Sequence, residues 1–120
     1  MTDTCVYIID GDNLIGWRGG PRGGDDRRAE IVREVADVCR RLHATATIVF
    51  DRAADVLPEM PAVAVRIAAA GESADDVIRV IVDGAADRSG LIVVTSDKPL
   101  YSYARTRGAR ILRCHEWRRL

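Results

Sequence analysis

The chain has 120 residues, of which 48% are hydrophobic, so we expect one compact domain over residues 1–120 whose core folds without disulfides or a structural metal. Its eighteen basic and eighteen acidic residues give a net charge of zero, which argues against binding nucleic acid through a general positive excess. Its three cysteines are an odd number without close spacing, which argues against a disulfide framework, a disulfide-linked partner and a four-cysteine zinc site.

The amino-terminal segment Met1-Thr2-Asp3-Thr4 leads directly into a short apolar run. It has none of the basic start, long apolar stretch or small-residue cleavage site of an export signal. No later stretch is long and apolar enough to suggest a membrane span. We therefore expect a cytoplasmic protein that does not enter a membrane.

Five short apolar runs along the chain predict β-strands. Most of them are rich in β-branched residues and lack strict alternation of polar and apolar residues, which is typical of strands buried on both faces of a parallel sheet. The predicted strands cover residues 5–9, 46–50, 63–67, 91–94 and 110–112.

Amphipathic stretches lie between these runs and predict helices. Apolar residues repeat at helical spacing from Ile31 to Leu42, Ser73 begins a second helix, and Pro99 and Gly108 suit the start and the end of a third. This alternation predicts a three-layer α/β/α, Rossmann-like fold with an open, mostly parallel sheet of about five strands. Ligands bind such sheets beyond the carboxyl ends of the strands, where the strand order reverses.

A glycine-rich segment, residues 17–24, precedes the first long amphipathic stretch. It has too few apolar residues to pack well, and it lacks the lysine followed by serine or threonine that phosphate-binding loops use. Trp17, Arg18 and Arg22 are candidates for stacking on a base or holding a nucleic-acid backbone. A plain connector explains the segment about as well.

Carboxylates follow three of the predicted strands and begin one of the predicted helices. Because the carboxyl ends of parallel strands meet at one edge of the sheet, all these side chains are expected at the same place. The acidic residues at strand ends are Asp10, Asp12, Asp51 and Asp97, and those in the first turn of the helix are Asp75 and Asp76.

Such a cluster is costly without a counter-ion, because neighbouring carboxylates repel one another and raise each other's pKa. A divalent cation removes this cost, and carboxylate and amide oxygens suit Mg²⁺ or Mn²⁺. A metal so held can activate water and stabilise the charge that builds on a phosphoryl group during in-line displacement. The cluster therefore predicts hydrolysis of phosphodiesters.

Each acidic residue also has a structural explanation. Asp76 lies three residues after Ser73 and suits a helix cap, Asp97 can cap the helix that Pro99 begins, and Asp12 is a common turn residue. For Asp51, a supporting role at the site and a plain position at a strand end explain the sequence about equally well. The metal-site interpretation depends on four segments bringing carboxylates to one edge.

Three segments together resemble a known family: Asp10-Gly11-Asp12-Asn13, Ser73-Ala74-Asp75-Asp76 and Val94-Thr95-Ser96-Asp97. In order and spacing they are similar to the NYN domain, in particular its YacP-like branch, within the PIN-like nuclease superfamily. The resemblance extends from Tyr7 to about Leu112. It implies a metal-dependent endoribonuclease that binds Mg²⁺ or Mn²⁺ and hydrolyses single-stranded or structured RNA.

The resemblance also implies roles for individual residues. The expected metal ligands are Asp10, Asp75, Asp76 and Asp97. The expected catalytic residues are Asp10, Asp75, Asp97 and Asn13, with Ser96, Asp12 and Asp51 in support. The family often has an aromatic or neutral polar residue at the position of Asp12, and an extra carboxylate there either strengthens metal binding or faces solvent.

Three other functions are compatible with part of this pattern of carboxylates. A haloacid-dehalogenase-type phosphatase would use Asp10 and Asp12 as nucleophile and acid, but its lysine precedes the last acidic pair, whereas Lys98 follows it here. A response-regulator receiver would be phosphorylated at Asp51. Its lysine follows the strand after the one that carries its threonine, whereas Lys98 follows the same strand as Thr95. A non-catalytic RNA-binding module is opposed by the retained, mutually repelling carboxylates. A homodimer is a further expectation, and a regulatory partner stays open.

Overall fold

The computed structural model describes residues 5–17, 25–51 and 57–120. Its strands are β1 Val6–Asp10, β2 Thr45–Phe50, β3 Val63–Ile67, β4 Leu91–Val94 and β5 Arg110–Leu112. Its helices are α1 Gly11–Trp17, α2 Asp25–Leu42, α3 Ala74–Gly84, α4 Lys98–Thr106 and α5 Cys114–Trp117, and a 3₁₀ turn, Arg88–Gly90, precedes β4. Each strand lies within one residue of its predicted position.

The five strands form one parallel sheet in the order β3-β2-β1-β4-β5. The chain builds outward from β1 to β3 and then returns to the other side of β1 to form β4. The strand order therefore reverses between β1 and β4, and the carboxyl ends of these two strands frame the crevice in which such folds bind ligands. The predicted mostly parallel α/β sheet is confirmed.

Apolar side chains cover both faces of the sheet. On one face Ile31 of α2 and Trp117 of α5 pack with Phe50, and the Trp117 ring meets Tyr7 edge-on with centroids 5.2 Å apart. On the other face Ile78 of α3 and Leu100 of α4 form a second buried cluster with strand residues. This arrangement accounts for the non-alternating strands, since a strand with helices on both faces needs apolar residues on both.

The sequence pattern did not predict α1, which begins directly after β1. A side-chain carbon at Gly11 would lie 2.9 Å from Cγ2 of Ile48 and closer still to the Phe50 ring. Glycine is therefore needed at this position because the backbone runs against the second strand, and the tight turn expected there is the first turn of a helix. None of the described helices is long and apolar enough to cross a membrane.

Candidate active site

Asp10 is the most deeply buried carboxylate of the candidate site. It ends β1 and is only 5% exposed. Its two oxygens accept hydrogen bonds from the Asn13 backbone amide at 3.4 Å and from the Thr95 hydroxyl at 3.2 Å. These bonds favour the charged form, but burial and the nearby charge of Asp75 outweigh them and raise the pKa of Asp10 to about 7.

Asp75 lies in the first turn of α3, half-buried and opposite the strand ends. Burial and the charge of Asp97 raise the pKa of the Asp75 carboxyl, and Asp51 adds to the effect, while Arg79 opposes it. The electrostatic field of each carboxylate thus reaches the next across the crevice. Asp75 lies within electrostatic reach of both Asp10, at the end of β1, and Asp97, in the loop after β4. That these three carboxylates bind one metal stays a prediction.

Asp97 caps α4, and Thr95 connects it to Asp10. One Asp97 carboxylate oxygen accepts the Leu100 amide at 3.1 Å, so the capping role considered from the sequence is present. The Asp97 amide donates to the Thr95 hydroxyl at 3.1 Å, and that hydroxyl donates to Asp10. Thr95 is fully buried and was given no role in the sequence analysis, although it lies within the quoted motif.

The Asn13 side chain ties three elements together. Its carbonyl oxygen accepts the Ser96 amide at 2.7 Å and the Cys114 thiol at 3.2 Å, so α1 is joined to the loop after β4 and to α5. The Ser96 hydroxyl in turn accepts the Cys114 amide at 3.1 Å. Burial raises the pKa of the Cys114 thiol, which keeps it a hydrogen-bond donor. Cys114 is therefore part of the site, although its spacing in the sequence indicated no such role.

The Asp12 carboxylate is held by the protein itself. One oxygen forms an ion pair with Arg28 of α2 at 3.2 Å, and the two side chains are 16% and 8% exposed. The other oxygen accepts the Asp51 backbone amide at 2.7 Å. The Arg28 guanidinium also lies 5.4 Å from the centre of the Phe50 ring. The sequence gave no sign of Arg28, because its partner is sixteen positions away.

Two further carboxylates hold the start of α3. The Asp51 side chain accepts the Ala74 amide at 2.7 Å. Ser73 and Asp76 form a reciprocal capping box, in which each side chain accepts the other's backbone amide at 3.1 Å. Asp76 is therefore engaged at the helix end, while the charges of Asp97 and Asp51 act on Asp75.

The donor set suits a metal that keeps much of its water. Among the residues that the structure describes, no three histidine, cysteine or acidic side chains are close enough to form a ready-made metal site. Mg²⁺ and similar hard cations bind through one or two carboxylates together with water and substrate oxygens. The raised pKa values of Asp10 and Asp75 fit such an ion, since a nearby positive charge would favour both ionised forms.

Trp17, Arg18 and Arg22 were expected to contact substrate. The backbone of Trp17 ends α1, while its side chain and the residues that follow up to position 24 lie outside the described residues. Their role stays a prediction.

Comparison with known proteins gives a family and a fold. The family model of the YacP-like NYN domain matches residues 7–119. Two crystal structures of Rae1 (YacP) from Bacillus subtilis, the protein and a point mutant, superpose with a TM-score of 0.78 at 20% sequence identity. The match to the mutant covers 97% of this chain and 74% of that one, and the other match covers 95% and 71%. No curated protein matches the sequence.

Proposed function

Because this chain belongs to the YacP-like NYN domain family, we propose that it is a metal-dependent endoribonuclease that hydrolyses RNA phosphodiester bonds. The observation that carries the proposal is the effect of the Asp75 charge on the pKa of Asp10 and of the Asp97 charge on the pKa of Asp75, at the switch point of the sheet. Neighbouring carboxylates are unfavourable for folding alone, and Asp10, Asp75 and Asp97 would hold a divalent cation that removes this cost and polarises a phosphate.

We assign metal binding to Asp10, Asp75 and Asp97. A bound Mg²⁺ or Mn²⁺ would supply an activated water and neutralise the charge that develops on the phosphoryl group. Asp76 stays a fourth candidate ligand, because one hydrogen bond in a helix cap, which Asp97 accepts as well, does not prevent metal binding.

The surrounding hydrogen bonds keep these carboxylates in position. Thr95 donates to Asp10 and accepts from the amide of Asp97, which fixes the two ligands relative to each other. Asn13 holds the loop after β4 through Ser96, so that Asp97 stays beside the end of β1. Restricting ligands in this way reduces the reorganisation needed when substrate binds.

The phosphatase alternative loses support at Asp12. A phosphatase of that type needs the second aspartate free to give and take a proton. Here both Asp12 oxygens are engaged, one by Arg28 and one by the Asp51 amide. Because both oxygens already have partners within the protein, Asp12 is poorly placed to exchange a proton with a substrate.

The test is cleavage of a pool of single-stranded and structured RNA in Mg²⁺, in Mn²⁺ and in chelator. Wild-type protein is expected to cut only with metal, and Asp10→Asn and Asp97→Asn are expected to lose more than about 100-fold in rate. Asparagine at position 97 can still accept the Leu100 amide, so folding should persist.

Asp87→Asn is the matched control. Asp87 precedes β4 at the opposite edge of the sheet, where it caps the 3₁₀ turn, and asparagine can keep that cap. It should cut at the wild-type rate. Cleavage that survives in Asp10→Asn, or no cleavage by wild type in either metal, would contradict the proposal.

A further inference from the structure

A hollow of about 420 Å³ opens beside the proposed metal site. Ser96 forms part of its wall, and the Ser96 backbone amide is bound to the Asn13 side chain of the site. Lys98 directly follows Asp97, so the hollow and the carboxylates are next to each other on the surface. The residues that line the hollow are Ser96, Lys98, Tyr101, Ser102, Arg113 and His115.

Two cations and one aromatic ring dominate this lining. Lys98 and Arg113 are exposed, and Tyr101 is half-buried in the first turns of α4. The Arg113 guanidinium lies 5.2 Å from the centre of the Tyr101 ring, which places a flat cation against a π face. Cations with a stacking platform and hydroxyl groups are the combination that binds single-stranded nucleic acid.

The charge distribution of the molecule indicates that these cations attract RNA phosphates. The chain as a whole is neutral, and the crevice itself carries the carboxylates, which repel an RNA backbone. Attraction for the phosphates that the metal does not contact must therefore come from local positive groups. Lys98 and Arg113 can supply this attraction, because they line the same hollow as Ser96, the residue before Asp97.

We propose that this hollow is a nucleotide subsite, in which Lys98 and Arg113 bind the RNA backbone and the Tyr101 ring stacks on a base next to the scissile phosphate. This inference rests on the proposed function. It concerns substrate binding and not chemistry, because none of the three side chains is among the carboxylates and amides of the catalytic cluster.

The experiment measures binding of a fluorescein-labelled single-stranded RNA of about 12 nucleotides by anisotropy, using full-length Asp10→Asn protein so that the RNA stays intact. Adding Lys98→Ala, Tyr101→Ala or Arg113→Ala is expected to raise the Kd about tenfold. The two charge removals should also lower the slope of log Kd against log salt by about 0.7 each. Tyr101→Phe keeps the ring and should bind like its parent.

Arg105→Ala is the matched control, because it removes an exposed arginine of α4 that does not line the hollow. It is expected to leave the Kd within about twofold. Thermal melts identify any variant that fails to fold. If Tyr101→Ala fails to fold, Lys98→Ala and Arg113→Ala still test the subsite, because both positions are exposed. Affinities equal to that of Arg105→Ala in all three variants would overturn the subsite.

Cleavage kinetics separate this inference from the proposed function. In the otherwise wild-type protein the three substitutions should raise KM and leave kcat within about twofold. Metal-dependent cutting with an unchanged KM would overturn the subsite and leave the nuclease standing. RNA binding that depends on the three residues, without any cutting by wild type, would support the subsite while the nuclease fails.

Discussion

The Asp10 carboxylate is surrounded by groups that oppose its charge and groups that favour it. Burial to 5% exposure and the field of Asp75 oppose ionisation. Among the residues that the structure describes, the Asn13 amide and the Thr95 hydroxyl favour ionisation, through bonds of 3.4 and 3.2 Å. The balance leaves the carboxyl half-ionised near neutral pH, so its charge changes over the range in which the protein can be studied.

We expect metal-free wild-type protein to lose stability as pH rises from about 4 to about 7. Below the usual pKa of 3.8 Asp10 is protonated in both states, whereas at intermediate pH only the unfolded chain ionises, which favours unfolding until the folded pKa of about 7 is passed. Between about pH 5 and 8 the free energy of unfolding should fall by about 2–3 kcal/mol more in wild type than in Asp10→Asn. Urea titrations in chelator measure this difference, and parallel curves for the two proteins would contradict it.

At the scale of elements, the first turn of α3 is positioned by contacts from outside the helix. Asp12 holds the Asp51 amide, and the Asp51 carboxylate holds the Ala74 amide, both at 2.7 Å. The chain of bonds runs from Arg28 in α2 through the end of β2 to the residue before Asp75. It therefore sets where Asp75 lies relative to Asp10.

Asp51→Ala should remove the acceptor of the Ala74 amide and destabilise the protein by about 1 kcal/mol. Cleavage should fall as well, because Asp75 loses a constraint on its position. Asp51→Asn keeps a carbonyl oxygen that can accept the same bond, so it should retain stability and most of the activity. Melting curves and cleavage rates of the pair decide the role: equal loss of activity in both, with stability unchanged, would make Asp51 a metal ligand.

Short helices were the elements that sequence patterns missed. The seven residues of α1 include Gly11 and Gly16, and α5 has only four residues, so neither shows a helical repeat of apolar positions. Both form because their neighbours hold them: α1 through the close approach at Gly11, and α5 through Trp117 packing on Tyr7. The longer helices were predicted, α2 from its apolar repeat, α3 from its start at Ser73, and α4 from Pro99 and Gly108 at its ends.

At the scale of the whole molecule, the described residues form two apolar clusters, one on each face of a five-stranded sheet, and neither includes the carboxylates that we assign to the metal. The fold should therefore persist without metal. In chelator we expect unchanged far-ultraviolet circular dichroism and a cooperative melt, with added Mn²⁺ raising Tm because it binds only the folded state. Loss of secondary structure on chelation would show instead that the metal is structural.

The sequence by itself determined the sheet and the edge at which its candidate carboxylates lie. Short non-alternating apolar runs can be buried only between two helical layers, which fixed the strands to within a residue. The ends of parallel strands must share one edge, so Asp10, Asp75 and Asp97 could be expected together before any coordinates.

Tertiary structure alone decided which carboxylates face one another and which are already bound. Asp12, Asp51 and Asp76 look equivalent to the others along the chain, yet Arg28 and the backbone amides of Asp51, Ala74 and Ser73 engage them. These partners come from other elements or from turn geometry. The roles of Thr95 and Cys114 arise in the same way, since a hydroxyl or thiol acquires a role only when folding brings a distant acceptor within hydrogen-bonding distance.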